Sequence, residues 1–167
     1  GEMSEIETAK KLRNLKMIVF DFDGVFTDNK VYLSENGLES VRCDRSDGMG
    51  IEMLKKFTDI VLVVMSKEKN VVVQKRCDKL MLECYHAVDD KPIALEKLLD
   101  LKNVDIESVA FVGNDVNDVD CMRQVGLAAC PKDAYSCAID VSDIVLSRNG
   151  GEGAVREFCD LILNERN

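Results

Sequence analysis

The sequence predicts a doubly wound, Rossmann-like α/β fold built on a parallel sheet, and three observations carry that expectation. Short apolar runs alternate with amphipathic segments almost to the end of the chain, the sequence form of repeated strand–helix units. The runs are continuous rather than alternating, as strands buried on both faces require. Two of them end abruptly in Asp- or Asn-rich loops, and in such folds ligands bind at the carboxyl ends of the strands.

The elements follow in order. A first strand is read at residues 16–20, where Met-Ile-Val-Phe stops at Asp21. Residues 30–34 and 38–43 flank Glu35-Asn36-Gly37; Asn-Gly between two such runs predicts a β-hairpin, here inserted after the first strand. A first helix is read at 47–56, and the run Ile-Val-Leu-Val-Val-Met predicts a second strand at 60–65. A helix at 69–80, a weaker strand near 84–87 and a helix from Pro92 to about 101 come next. Strands at 108–112 and 126–130 enclose a helix at 118–124; a weaker strand near 143–146 and a helix at 153–164 complete the pattern.

The length of 167 residues suits one domain spanning 1–167. With 46% hydrophobic and 32% charged residues, the composition is that of a globular protein. No apolar stretch approaches a membrane span and no signal peptide is visible, so a cytoplasmic protein is expected, with Met3 as its start. Seven cysteines without any Cys-x-x-Cys spacing fit reduced thiols and argue against zinc. The net charge of −9 argues against nucleic acid, though not against a small phosphorylated ligand held by a metal and local cations.

The chemistry concentrates in four places. Asp21 and Asp23 are two apart at the end of a buried strand, so both carboxylates can converge on one point. Such a pair is costly unless a cation lies between, and Mg²⁺ is the economical choice. Asn114, Asp115 and Asp118 supply further oxygen ligands in a second loop after a strand; taken alone, the loop reads equally well as a capped helix start. Ser66, at another strand end, can donate to a phosphoryl oxygen, and Lys91 can neutralise its charge.

This ordered set, Asp21-Phe22-Asp23-Gly24-Val25, Ser66, Lys91 and Gly113-Asn114-Asp115, resembles the haloacid dehalogenase superfamily of aspartyl phosphotransferases. The resemblance implies that Asp21 is the nucleophile and Asp23 the acid/base. It further implies that Mg²⁺ is held by Asp21, the backbone carbonyl of Asp23 and the loop at 114–118, and that Ser66 and Lys91 orient the phosphoryl oxygens. The chain has no room for the usual cap domain. It is similar to the capless subgroup of 3-deoxy-octulosonate 8-phosphate phosphatases, which places a hairpin where residues 30–43 stand. By that resemblance the protein is a homotetramer whose neighbouring subunits close the pocket, and the segment 150–157, which includes Arg156, approaches a neighbour's active site.

Ser66-Lys67-Glu68, with Arg76 and Lys79 following on one helix face, resembles the nonulosonate 9-phosphate phosphatases more than the octulosonate enzymes. Glu68, Arg76, Lys79 and Arg156 are therefore the expected substrate contacts, and a sialate-type 9-phosphate is the expected substrate, ahead of the eight-carbon 8-phosphate. The competing expectation is a phosphatase-like oligomerisation domain of a bifunctional CMP-N-acylneuraminate synthetase. Asn114, where an acid is usual in the phosphatases, leans that way; retention of Asp21, Asp23, Ser66 and Lys91 leans against it.

Overall fold

The computed structural model describes residues 3–167; the expectation that residues 1 and 2 precede the start lies outside that range. Six parallel strands form the sheet in the order β5 (Glu83–Tyr85), β4 (Val61–Met65), β1 (Met17–Phe20), β6 (Val109–Val112), β7 (Leu127–Cys130) and β8 (Ile144–Val145). β1 lies at the centre, where the chain first builds outward to one side and then returns to build the other.

Both faces of the sheet are apolar, and the period of two sorts the side chains between them. Ile18, Phe20, Val64, Val112 and Ala129 pack against α1 (Glu5–Arg13), α2 (Arg45–Phe57), α3 (Val72–Leu80) and α7 (Ala154–Arg166). Met17, Val19, Met65, Phe111 and Cys130 pack against α4 (Lys91–Lys102), α5 (Val119–Gln124) and α6 (Ser136–Asp140). Every residue of β1, β6 and β7 is buried, which is why these strands read as unbroken apolar runs. No helix among the described residues is long and apolar enough to cross a membrane.

The hairpin forms as an excursion between β1 and α2, with β2 (Tyr32–Leu33) antiparallel to β3 (Glu39–Ser40). Gly37 takes φ +83° at the turn, the left-handed conformation that Asn-Gly turns supply. Its ladder is shorter than the two runs suggest, because Val31, Tyr32, Leu33 and Leu38 are all exposed and a two-stranded ribbon alone buries little. Two helices escape the sequence reading. One is α1, capped by Ser4, whose side chain accepts from the Glu7 amide at 3.1 Å; the other is the five-residue α6.

α2 and α7 are joined by a buried charge. Asp47 is 1% exposed; its Oδ1 accepts from the Arg156 amide at 3.0 Å, and its Oδ2 has no partner among the described residues. Burial pushes its carboxyl from 3.8 up to about 7. A raised folded-state pKa means stability is full below 3.8 and is lost as pH rises through 7. Asp47→Asn keeps the Oδ1 acceptor and removes the titration. Its melting temperature should match wild type near pH 4 and exceed it increasingly up to pH 7, by roughly 5–10 °C for about 2–4 kcal/mol. A gap that does not change with pH would show that Asp47 is not the titrating group.

Candidate active site

Three neighbouring strand ends and one helix start build the site. β1 runs straight into Asp21, whose amide donates to the Val112 carbonyl at 2.9 Å. The chain then folds back on itself: Val25 and Phe26 amides donate to the Phe22 carbonyl at 3.1 and 2.8 Å. Phe22, Val25 and Phe26 go into the core, which anchors an acidic loop by its apolar residues and leaves the carboxylates at the rim. Thr27, fully buried, ties the loop together. Its Oγ1 accepts from the Gly24 and Asn29 amides, both at 3.1 Å, and donates to Asp23 Oδ1 at 3.5 Å.

Lys91 occupies the first position of α4, before Pro92 and after the capping Asp90. It is 2% exposed, with Nζ 3.1 Å from Asp21 Oδ1 and 2.7 Å from Asp118 Oδ1. The two carboxylates raise its pKa against the effect of burial, so it is a fixed cation. Two carboxylates against one ammonium leave an excess negative charge. Burial, and then Asp118, accordingly push the Asp21 carboxyl well above the ordinary range, with Lys91 and the Phe22 amide pulling the other way. Asp23 is raised as well, by burial and then by the Glu68 carboxylate.

Those charges and the loop oxygens fit a divalent cation. The amide end of Asn114 lies 3.1 Å from Asp21 Oδ2 and 3.0 Å from the Asp23 carbonyl oxygen. With its oxygen turned inward, three oxygens face one another with no donor between them, an arrangement that repels itself unless a cation is shared. Adjacent ligands of octahedral Mg²⁺, each about 2.1 Å from the ion, lie about 3.0 Å apart. Rotated the other way, the Asn114 amide donates to both partners, so the same side chain can satisfy the site without an ion. Asp21, the Asp23 carbonyl and Asn114 are thus the residues that could hold Mg²⁺.

A cleft of ≈ 420 Å³ opens above them, lined by Asp21, Asp23, Asn29, Ser66, Lys67, Glu68, Lys69, Asn114, Asp115 and Asn117. Ser66 is buried at the end of β4, its amide donating to the Tyr85 carbonyl at 2.8 Å and its Oγ accepting from the Glu68 amide at 3.1 Å. Glu68 in turn accepts from the Asn70 amide at 2.8 Å, which fixes the loop carrying it over the cleft.

Several expected contacts lie elsewhere. Asp118, expected as a metal ligand, has both oxygens engaged: Oδ1 by Lys91, and Oδ2 by the Asn114 and Asp115 amides at 3.0 and 3.4 Å. Its work is to hold the lysine and the loop. Asp115, also expected as a ligand, caps the following 3-10 turn, its Oδ1 accepting from Val116 at 2.6 Å, and it reaches only the cleft wall. Arg76 and Lys79 line a separate groove with Val41, Cys43 and Arg45, because α3 turns that face toward α2 and away from the strand ends. Arg156 lines a third groove, its Nε bonded to Asp160 at 3.1 Å. Within this chain the Gly-rich segment at 150–153 packs on the loop 24–28, where the Gly151 amide donates to the Val25 carbonyl at 3.2 Å. Thr27 was missed by sequence reasoning; a lone Thr six residues after Asp21 carries no signal of its own.

The carboxylate-rich crevice at the switch point of a parallel sheet defines a class. The chain belongs to the haloacid dehalogenase-like hydrolases, whose family model matches residues 6–158. Among curated relatives it is similar to the 3-deoxy-D-manno-octulosonate 8-phosphate phosphatase KdsC of Escherichia coli K12. The two are 36% identical over 154 residues, covering 92% of this chain and 81% of the relative. Among solved structures, a probable YrbI-family phosphatase from Pseudomonas syringae pv. phaseolica matches with TM-score 0.93 at 34% identity, covering 98% of this chain and 93% of that one. The 3-deoxy-D-manno-octulosonate 8-phosphate phosphatase of Moraxella catarrhalis, solved in complex with magnesium, phosphate and a KDO molecule, matches with TM-score 0.93 at 28% identity, covering 98% and 94%.

Proposed function

We propose that residues 1–167 form one phosphatase domain that hydrolyses the phosphate ester of a 2-keto-3-deoxy sugar acid through an aspartyl-phosphate. The observation that carries this reading is the buried Asp21–Lys91–Asp118 chain, beside which Asp21 Oδ2, the Asp23 carbonyl and the Asn114 carboxamide converge. A domain serving only to assemble a larger synthetase has no need of so costly an arrangement.

In this reading the Ser66 hydroxyl and the Lys91 ammonium receive the phosphoryl oxygens, and an Asp21 oxygen attacks phosphorus as the bond to the sugar oxygen breaks. Asp23, whose carboxyl is raised by burial and then by Glu68, gives a proton to the leaving oxygen. It then takes a proton from the water that attacks the same phosphorus, breaking the bond to Asp21 and freeing inorganic phosphate. Mg²⁺, when bound, supplies positive charge that lets the anionic phosphate approach a carboxylate.

The named relatives support the eight-carbon 3-deoxy-octulosonate 8-phosphate as substrate. A second reading, the nonulosonate 9-phosphate, is favoured by Glu68, which follows Ser66 and lines the cleft. Arg76 and Lys79 share no groove with Glu68, so within this reading they act on the substrate of another copy. The exposed hairpin residues Val31, Tyr32, Leu33 and Leu38 support a homotetramer, which a solution mass of one chain would remove. Seven free thiols support a cytoplasmic setting.

Phosphate release with Mg²⁺ should be measured on eight-carbon, nine-carbon and unrelated sugar phosphates. Preference for either sugar acid selects between the two readings. Equal turnover of all three sinks the sugar acid assignment, and no turnover by a tetrameric protein supports the synthetase domain instead.

A further inference from the structure

The loop that carries Asp23 is held from behind by a turn 127 residues later in the chain. Gly24 has φ +82° and no room for a side chain on its cleft side, where a Cβ would stand 2.6 Å from Asn114 Cγ. Gly150 lies against the same loop. A Cβ there would collide with the Gly24 carbonyl oxygen, with the carbonyl carbon at 2.5 Å and the Thr27 carbonyl oxygen at 2.9 Å. At Gly151, φ +71°, a Cβ would strike the Asp28 amide nitrogen, with the Thr27 carbonyl carbon at 2.5 Å. These obstacles are backbone atoms and cannot swing aside as a side chain would.

The turn is also pinned in place. The Gly150 amide donates to Asp133 Oδ1 at 3.0 Å and the Gly151 amide to the Val25 carbonyl at 3.2 Å. Arg42 bridges the two segments, 3.2 Å from Asp28 and 3.1 Å from Glu152. Asn114 thus lies against the Asp23 carbonyl and Gly24, the turn at 150–151 lies against the next peptides of the loop, Gly24–Val25 and Thr27–Asp28, and Thr27 Oγ1 accepts from the Gly24 amide.

We propose that the Gly150–Gly151 turn is a positioning element for catalysis, setting the Asp23–Gly24 peptide through contact with the backbone of residues 24–28. Asp23 is thereby aimed in the cleft by a segment of the same chain that does not line that cleft. The inference rests on the phosphatase reading for its effect on rate, but not for its effect on the loop.

The test uses the small ester p-nitrophenyl phosphate, thermal melting, and hydrogen exchange of the metal-free protein. Gly150→Ala should lower kcat about 100-fold, the cost of a displacement near 1 Å at a reacting group, with KM close to wild type. It should also accelerate exchange of the Gly24, Asn29 and Gly151 amides while β1 stays protected. Gly126→Ala is the control for stability: its Cβ would strike the Glu107 backbone, with the Glu107 carbonyl carbon at 2.7 Å, at the opposite end of the sheet. It should lower the melting temperature and leave kcat and the loop amides alone. Thr27→Val should reproduce the kcat loss and Thr27→Ser, which keeps the hydroxyl, should restore it.

Should Gly150→Ala not fold, Gly151→Ala and the Thr27 pair decide. Loop exchange and kcat that stay at wild-type values in a folded Gly150→Ala or Gly151→Ala protein overturn the proposal. If wild type hydrolyses no ester, the phosphatase reading fails, and the exchange comparison still decides whether the turn holds the loop.

Discussion

Asp21→Asn should reduce phosphate release by at least about 10⁴-fold, the scale on which loss of a nucleophile is felt, without unfolding the protein. The amide is nearly isosteric with the carboxylate but carries no charge with which to attack phosphorus. Stability should be unchanged or higher. Asp21 is buried next to Asp118, and both burial and that neighbour disfavour its ionised form. Neutralising it removes a like-charge contact, while Lys91 keeps its 2.7 Å bond to Asp118. Turnover and thermal melting on the same sample check both halves. A variant that still hydrolyses substrate at a wild-type rate would show that Asp21 does not accept the phosphoryl group, whatever its place in the site.

Lys91→Met should be the most destabilising single change in the site. The ammonium is the only cation within salt-bridge distance of Asp21 and of Asp118 among the described residues. Its removal strands two carboxylates, and breaking a buried ion pair from one side costs about 3–5 kcal/mol. For a chain of this size that is roughly 10 °C or more in melting temperature. Activity should vanish too if, as proposed, Lys91 is the partner of the phosphoryl charge. The electrostatic cause can be separated from lost packing: adding Asp118→Asn to Lys91→Met removes one of the stranded charges and should recover much of the melting temperature without recovering turnover. Additive losses in the double variant would mean that the lysine stabilises through the packing of its aliphatic stem rather than through its charge.

The strands were readable because a parallel sheet covered on both sides demands unbroken apolar runs, and β1, β4, β6 and β7 supply them. α1 was less visible because only Leu12 on it is buried, so it has no apolar stripe. Its evidence was the cap at Ser4 with Glu7 three residues on, a weaker cue than periodicity. In the site, Asp21, Asp23, Ser66 and Lys91 could be placed from their positions at strand and helix ends. What the linear chain could not reveal was direction. Asp118 and Asn114 sit in one short loop with similar oxygens, yet one turns inward to the lysine and the other toward Asp21. That difference comes from the 3-10 turn at Val116–Asp118, which rotates Asp118 under its own loop. Arg76, Lys79 and Arg156, expected by resemblance as substrate contacts, lie in grooves of this chain apart from the cleft, a placement set by helix rotation that sequence order does not carry.

The central position of β1 has a consequence for how the protein comes into being. The groups that meet in the cleft are drawn from the ends of β1, β4 and β6 and the start of α4, so the contacts that join these elements are long-range, and assembly of this kind is slow. A chain emerging from synthesis acquires Asp21 and Ser66 first and Lys91 later. Asp118 and Asn114 arrive only after β6 has filled the vacant side of β1. Until that strand docks, the lysine lacks one carboxylate partner and the cradle lacks one oxygen. The cleft is therefore assembled by the docking of β6 and the loop after it, before β7 and β8 are added to the sheet.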